Sequence, residues 1–423
     1  MIGAPLHAAA AGLTRTLVHY RTVFGNRNTA LLLGAGFVSE VGDWFNIVAL
    51  ISLSYRFGEG ALGVGGMLAA RMLTRLICQG PAGSIVDRSP GRGLLLASQI
   101  VMAIVATAFL LLVIVPELWL LYMLVIALEG TNCIARPAFM VVLKREAPPD
   151  VRAAANGALF ASQTTAQLVG PVLGAAALAP LGPAAVFALN GLTFLAVAAA
   201  VVGLRGGDVE DGVAVAIPVE PEPNSASALP TAVGYRWLVR QRDLSLYALV
   251  CLSLALLVQA TIALFVVRAN ALGLGDSGVG IFYAAVAGGS LAGSLIAGVR
   301  QPHAAPLFPA ALAMIVCALA LAVFGIAAVP LAALAALVVA GFATDFYEVV
   351  GLTHFQLAIP DAAYGRFFSM FLIALSAGGL IGALAGPVLE QRLGVAGSLA
   401  ALAMPAATLA LLLAALSRKW AGD

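Results

Sequence analysis

Twelve apolar runs follow one another along this chain, at about 29–56, 61–86, 94–115, 118–142, 156–180, 183–204, 244–269, 277–299, 305–327, 330–358, 365–388 and 393–416. A helix needs about 20 mostly apolar residues to cross the hydrocarbon core of a bilayer. In that medium every backbone N–H and C=O must find a partner inside the protein, so runs of this length become helices. Only 10% of the residues are charged and 62% are hydrophobic, with a mean hydropathy of +1.02. A soluble domain carries roughly 25% charged residues. The sequence therefore predicts an all-α polytopic membrane protein with twelve transmembrane helices, spans 1–12 in chain order.

The basic residues give the orientation, because Lys and Arg collect in cytoplasmic segments. With the N-terminus inside, the cytoplasmic segments hold Arg15, Arg21, Arg27, Arg88, Arg92, Lys144, Arg145, Arg152, Arg205, Arg236, Arg240, Arg242, Arg300, Arg366, Arg418 and Lys419. The outer loops hold Arg56, Arg268 and Arg392. Residues 1–28 lack an apolar stretch followed by a small-residue cleavage site, and read as a cytoplasmic tail. Spans 1–6 form a first bundle over 29–204 and spans 7–12 a second over 244–416, with a C-terminal tail at 417–423. Between the bundles lies a cytoplasmic linker, 205–243. Its first part, "RGGDVEDGVAVAIPVEPEPNSASALP", is acidic and Pro-rich, the composition of a flexible connection. Its second part, "AVGYRWLVRQRDLS", mixes aromatic and basic residues and reads as a helix at the inner membrane surface. The four cysteines, Cys78, Cys133, Cys251 and Cys317, are scattered through apolar runs and read as small core residues.

The two bundles echo each other. "LGVGG" (62–66) opens span 2 and "SGVGI" (277–281) opens span 8; Gly83 and Gly298 close those spans at the same offset. "PD" at 149–150 precedes "LVGPVLG" (168–174), and "PD" at 360–361 precedes "LIGALAG" (380–386). Such matches point to an internal duplication, a plan in which parallel repeats are related by an axis along the membrane normal.

Four stretches carry more. "GSIVDRSPGR" (83–92) joins spans 2 and 3 and contains Gly83, Asp87, Arg88 and Arg92. "AQLVGPVLGA" (166–175) in span 5 contains Gly170, Pro171 and Gly174. The two glycines form a small-xxx-small face for close helix packing, and the proline removes a backbone hydrogen bond and allows a bend. "SEVGDWFNIVAL" (39–50) sets a Gly-Asp pair in span 1, and "GYRWLVRQRDL" (234–244) precedes span 7. Together these resemble the major facilitator superfamily, and within it the branch of macrolide-efflux and enterobactin-exporter-like proteins. The resemblance implies two pseudo-symmetric six-helix bundles, transport by alternating access, and a cavity lined by spans 1, 4, 7 and 10. It implies that Asp87 braces the cytoplasmic side against the start of span 11, near Gly365, and against Arg136. A carboxylate is favoured at a helix N-terminus by the dipole. Pro90 and Gly91 shift Arg92 from its usual place, which leaves its role in that motif open. The Gly-Pro motif of span 5 is one associated with exporters.

Ionisable residues within the spans narrow the chemistry. Glu40 and Asp43 sit near the middle of span 1, Arg71 and Arg75 in span 2, Glu129 in span 4, and Asp345 and Glu348 in span 10. The i,i+3 and i,i+4 spacings put each pair on one helical face. Charged residues at such depths line cavities or pair with each other. Arg71 and Arg75 are the expected charge partners, with Asp43 pairing Arg71 and Glu40 left over. Five acids against two arginines leave some without a cation, and a carboxylate of that kind tends to take a proton. Glu40, Asp43, Glu129, Asp345 and Glu348 are therefore the candidates for proton coupling.

Mid-depth residues of spans 1, 4, 7 and 10 supply the expected cavity wall: Trp44, Phe45 and Asn46, then Asn132, then Gln259 and Phe265, then Phe346 and Tyr347. Such a lining suits a bulky, mostly apolar solute, cationic ones included. Proton-coupled efflux of drugs or amphipathic small molecules is the expected function, in the cytoplasmic membrane and as a monomer. Export of a siderophore or other endogenous metabolite, or movement of a lipid or lysolipid without coupling, are the alternatives. The partners expected are a small-molecule substrate and membrane lipids, with no nucleic acid. No cofactor, metal site or enzyme motif is expected, since HExxH and Ser/His/Asp arrangements are missing from the sequence and the four histidines are scattered.

Overall fold

In the computed structural model, residues 19–205 and 242–420 are described, apart from 59, 90, 149–150, 276, 300–306 and 359–360. The linker beyond Arg205 and the tail before residue 19 lie outside the described residues, as do the side chains of Gly83, Asp87 and residues 352–370. The first helices are α1 (Arg27–Phe57), α2 (Ala61–Arg88), α3 (Gly91–Ala108, continued by the turn Leu111–Ile114) and α4 (Leu118–Glu146). A long helix Arg152–Val202 breaks at Gly182, whose φ of 74° and ψ of 171° no helix contains. Its two arms are α5 (152–181) and α6 (183–202). The second bundle repeats the pattern with α7 (Arg242–Ala263, continued by Phe265–Ala271), α8 (Ser277–Val299), α9 (Leu307–Ile326) and α10 (Pro330–Ala358). The last helix, Asp361–Trp420, breaks at Gly394, with φ 67° and ψ 176°. Its arms are α11 (361–393) and α12 (395–420). Among the described residues ten stretches are long and apolar enough to cross a membrane, and the last of them, Phe371–Ser417, contains both arms around Gly394.

Local sequence explains the ends. The side chain of Asn26 accepts the Thr29 N–H at 3.1 Å and caps α1, satisfying one of the orphan donors of a helix start. Arg268 donates from Nε to the Phe324 carbonyl at 3.0 Å and from a terminal nitrogen to the Ala327 carbonyl. It thereby caps α9, where a cation meets the negative end of the helix dipole. At Gly182 and Gly394 the positive φ is the left-handed region open to glycine, and each turns a helix back into the membrane.

Packing repeats between the halves. An added Cβ at Gly170 would strike Trp44, and one at Gly174 would lie 2.8 Å from Phe45 Cα, so α5 rests on α1 backbone to backbone. Gly382 and Gly386 meet Leu256 and Ala260 in the same way, joining α11 to α7. Gly170 and Gly382, Gly174 and Gly386, and Gly182 and Gly394 are each 212 residues apart. Across the halves, a Cβ on Gly280 of α8 would strike the Pro171 carbonyl and sit 2.6 Å from Ala175 Cβ. Its counterpart Gly65 of α2 faces the Ala383 carbonyl, with Pro387 Cγ 2.8 Å from the Cβ position. Pro171 and Ala383 are again 212 residues apart.

These cross-half contacts lie at the end of the bundle that carries the turns at Gly58–Gly60, Gly182 and Gly394. There the two halves share one core, in which Ile47–Leu53 and Val64–Leu68 of the first half join Phe265, Phe282 and Phe324 of the second. At the opposite end the first half has a separate core around Leu32, Leu95, Val142 and Val201. The described residues thus form a molecule closed at one end. Its other end has a polar tie: Arg92 pairs with Glu146 at 2.6 Å, and Asn28 donates to Glu146 at 2.8 Å and to the Arg205 carbonyl at 2.7 Å.

Candidate functional site: a charged cavity between the halves

A cavity of about 530 Å³ lies between the halves. Each wall is a helical stripe with 3–4 residue spacing. From α1 it takes Glu40, Asp43, Trp44, Ile47 and Leu50, and from α2 Leu68, Arg71, Met72 and Arg75. From α4 come Val125, Glu129, Asn132 and Arg136, and from α5 Phe160, Gln163, Thr164 and Gln167. The second half adds Gln259, Ile262 and Phe265 from α7, Tyr283, Val286 and Ser290 from α8, and Leu337, Gly341, Thr344 and Asp345 from α10. Asn46 also reaches the lining. Helices α2, α5 and α8, with Leu321 of α9, therefore join the four expected.

Phase along the helices decides which expected residues reach the cavity. Phe45 instead sits against Gly174 of α5. On α10 the stripe 337, 340–341, 344–345 leaves Phe346 and Tyr347 about 100° and 200° round from Asp345. Phe346 stacks on Phe342 at 5.9 Å. Tyr347 is fully buried, stacks on Tyr247 at 5.0 Å and lies 3.0 Å from Cys251 Sγ. Glu348 also falls outside the cavity lining, within electrostatic reach of Asp345 and Tyr247. On α5 the polar residues Gln163, Thr164 and Gln167 line the cavity, with the Thr164 hydroxyl donating to the Phe160 carbonyl at 3.1 Å. An i,i+4 pair of glutamines in a membrane span was the available sequence signal for this wall.

The charge pairing differs from the expectation that Asp43 holds Arg71. Glu129, with its side chain 6% exposed, accepts from Arg71 Nε at 2.9 Å and pairs with Arg75 Nε through its other oxygen. Asp43 makes no hydrogen bond or ion pair among the described residues. Glu40 stands 3.7 Å from Arg136 and accepts from Gln163 Nε2 at 3.3 Å. The reason is azimuthal: α2 lies against both α1 and α4, and its two arginines point to α4. Arg136, expected to brace Asp87, lines the cavity beside Glu40; Asp87 and Gly83 lie outside the residues whose side chains are described. Arg88 is exposed, and Arg92 is engaged with Glu146. Gly42, the partner in the Gly-Asp pair, is a packing residue: a Cβ there would lie 2.5 Å from Thr193 Oγ1 and 2.6 Å from Asn190 Oδ1 of α6.

Aromatic rings roof the cavity toward the closed end. Trp44 meets Tyr283 edge-on at 5.6 Å across the halves, and Tyr283 meets Phe265 at 5.3 Å. Toward the other end the walls carry Glu40, Arg136, Phe160 and Gln163. The Arg136 side chain is 54% exposed, so solvent reaches the cavity from that side. Asp345 forms no ion pair among the described residues and shares its wall with Ser290 and Thr344. Among the described residues no group of three or more His, Cys, Asp and Glu is placed to hold a metal ion.

Two six-helix halves enclosing a solvent-reached, charged cavity define a polytopic membrane transporter rather than an enzyme. The model of the Major Facilitator Superfamily matches residues 32–383, and the chain belongs to that family. Solved transporters share its fold at low identity. The POT family transporter PepTSo has a TM-score of 0.70 at 13% identity, covering 93% of this chain and 98% of that one. A bacterial homologue of the human lysosomal transporter Spinster, inward-facing and unoccupied, has a TM-score of 0.66 at 12% identity, covering 93% and 96%. The nucleoside transporter NupG has 0.64 at 12% identity, covering 93% and 99%. No curated protein matches this chain by sequence.

Proposed function

We propose that this protein is a secondary active transporter that exports amphipathic small molecules from the cytoplasm by alternating access, driven by the proton gradient. The observation that carries the reading is the cavity, which sets two acids without ion pairs, Asp43 and Asp345, on opposite walls of a space open at one end. An acid that faces alternate sides in turn can carry a proton each way. Trp44, Phe265, Ile47 and Val286 supply apolar wall for the cargo. Export is supported by the Gly-Pro motif of α5, where Gly170 and Gly174 seat α1 and the Pro171 carbonyl seats Gly280. The distribution of basic segments supports an open end, with both termini, on the cytoplasmic side.

Proteoliposomes with an imposed proton gradient test the reading. Accumulation of an amphipathic dye should require the gradient, and Asp43→Asn or Asp345→Asn should abolish that requirement. Gradient-independent flux in the wild type and in both variants would exclude coupling. The second reading, uncoupled movement of a lipid or lysolipid, is favoured by Phe160, which lines the cavity yet is 60% exposed. It predicts fluorescent lysolipid exchange at the same rate with and without the gradient.

A further inference from the structure

Arg71 and Arg75 are held to Glu129 through their Nε atoms alone. A guanidinium has five N–H donors, one on Nε and four on the terminal nitrogens. The terminal donors of both residues make no hydrogen bond to any described residue. Both side chains line the cavity, at 24% and 31% exposed. One carboxylate shared by two guanidiniums leaves a positive surplus at that pair, which Asp43 on α1, within electrostatic reach of Arg71, offsets only while it is ionised; Glu40 is matched to Arg136. Tyr283, with an O–H to offer, stands on the facing wall within electrostatic reach of Arg71.

We infer that the paired guanidiniums of Arg71 and Arg75 bind an oxyanion of the cargo, a carboxylate or phosphate whose apolar body lies on Trp44, Ile262 and Val286. Planar forks with free terminal N–H groups match the two oxygens of such a group. Glu129 is then a resident carboxylate that orients both forks and occupies their rear. The cargo class is an amphipathic acid. This rests on the reading of the cavity as the cargo site.

The test uses full-length protein in lipid nanodiscs and calorimetric titration of four probes: 2-naphthoate, 2-naphthyl phosphate, 2-naphthol and 2-naphthylmethylammonium. The two anions should bind about ten- to a hundredfold tighter than the neutral and cationic probes, the range of charge-assisted hydrogen bonds. Arg71→Gln and Arg75→Gln should each remove that preference, and Arg75→Lys, which keeps charge without the fork, should keep part of it. Glu129→Gln should raise the affinity for 2-naphthoate, because it frees positive charge the resident carboxylate now offsets. Val286→Trp, which fills the cavity, should block every probe. If Val286→Trp blocks binding while the cation binds as well as the anions, the oxyanion inference falls and the cavity reading stands. The inference falls in the same way if the anion preference survives both Arg→Gln changes. If no probe binds, or all bind Val286→Trp as they bind the wild type, the cavity reading falls and takes the inference with it.

Discussion

Glu40 Oε1 stands 3.7 Å from Arg136 Nη2, and this contact joins α1 to α4 at the open side of the cavity. The arginine side chain is 54% exposed, so water screens the attraction. Ion pairs of that kind contribute about 0–1 kcal/mol. Glu40→Gln or Arg136→Gln should lower stability by no more than about 1 kcal/mol, and by less in high salt. Thermal unfolding in detergent at two salt concentrations measures both effects.

Glu129 differs, because its side chain is 6% exposed and holds two arginines. Removing one partner of a buried ionic group typically costs about 3–5 kcal/mol. Glu129→Ala should destabilise the protein by that order, whereas Asp43→Asn, which breaks no hydrogen bond or ion pair among the described residues, should leave stability unchanged or raise it. The same unfolding assay ranks the two variants, and the reverse order would refute the pairing.

The roof of the cavity supplies an optical probe. The chain has tryptophans at 44, 119, 237 and 420, and among the described residues Trp44 is the one that lines the cavity. Ligand binding should change the intrinsic fluorescence, and Trp44→Phe should abolish most of that change. Loss of the aromatic contact with Tyr283 should cost about 0.5–1.5 kcal/mol, read in the unfolding midpoint.

Closure can be tested at Gly280. A methyl group there meets the Pro171 carbonyl and Ala175 Cβ, so Gly280→Ala should disfavour the closed end. In a chain with Cys78, Cys133, Cys251 and Cys317 replaced by alanine, a cysteine at Ile47 reports the change. Its labelling by an impermeant maleimide from the sealed side should rise several-fold in Gly280→Ala, and Gly65→Ala should act likewise. Equal labelling in all three chains would show that these contacts do not govern closure.

The fold could be read from the sequence because membrane spans are long, apolar and interrupted by charged turns. The repeat was visible for a related reason: close helix packing needs glycine at fixed places, so Gly170 and Gly174 return as Gly382 and Gly386. Depth in the membrane was equally legible. Glu40, Asp43, Arg71, Arg75, Glu129 and Asp345 do meet around one cavity. Azimuth was not. Whether Arg71 turns to Asp43 or to Glu129 depends on how α2 is rotated between α1 and α4, and a sequence gives no rotation. The same limit placed Phe346 and Tyr347 on the cavity wall, where one and two further steps of 100° carry them away from it.

The seal between the halves at Gly65 and Gly280 is made of backbone atoms and small side chains, with no charged group among the described atoms nearest those two glycines. Dispersion forces of this sort fade within an ångström; a gap of about 0.5–1 Å already forfeits a quarter to a half of the attraction. A seal with so short a range does not yield gradually. It behaves as a latch, shut or released, and its release breaks no ion pair at these two contacts.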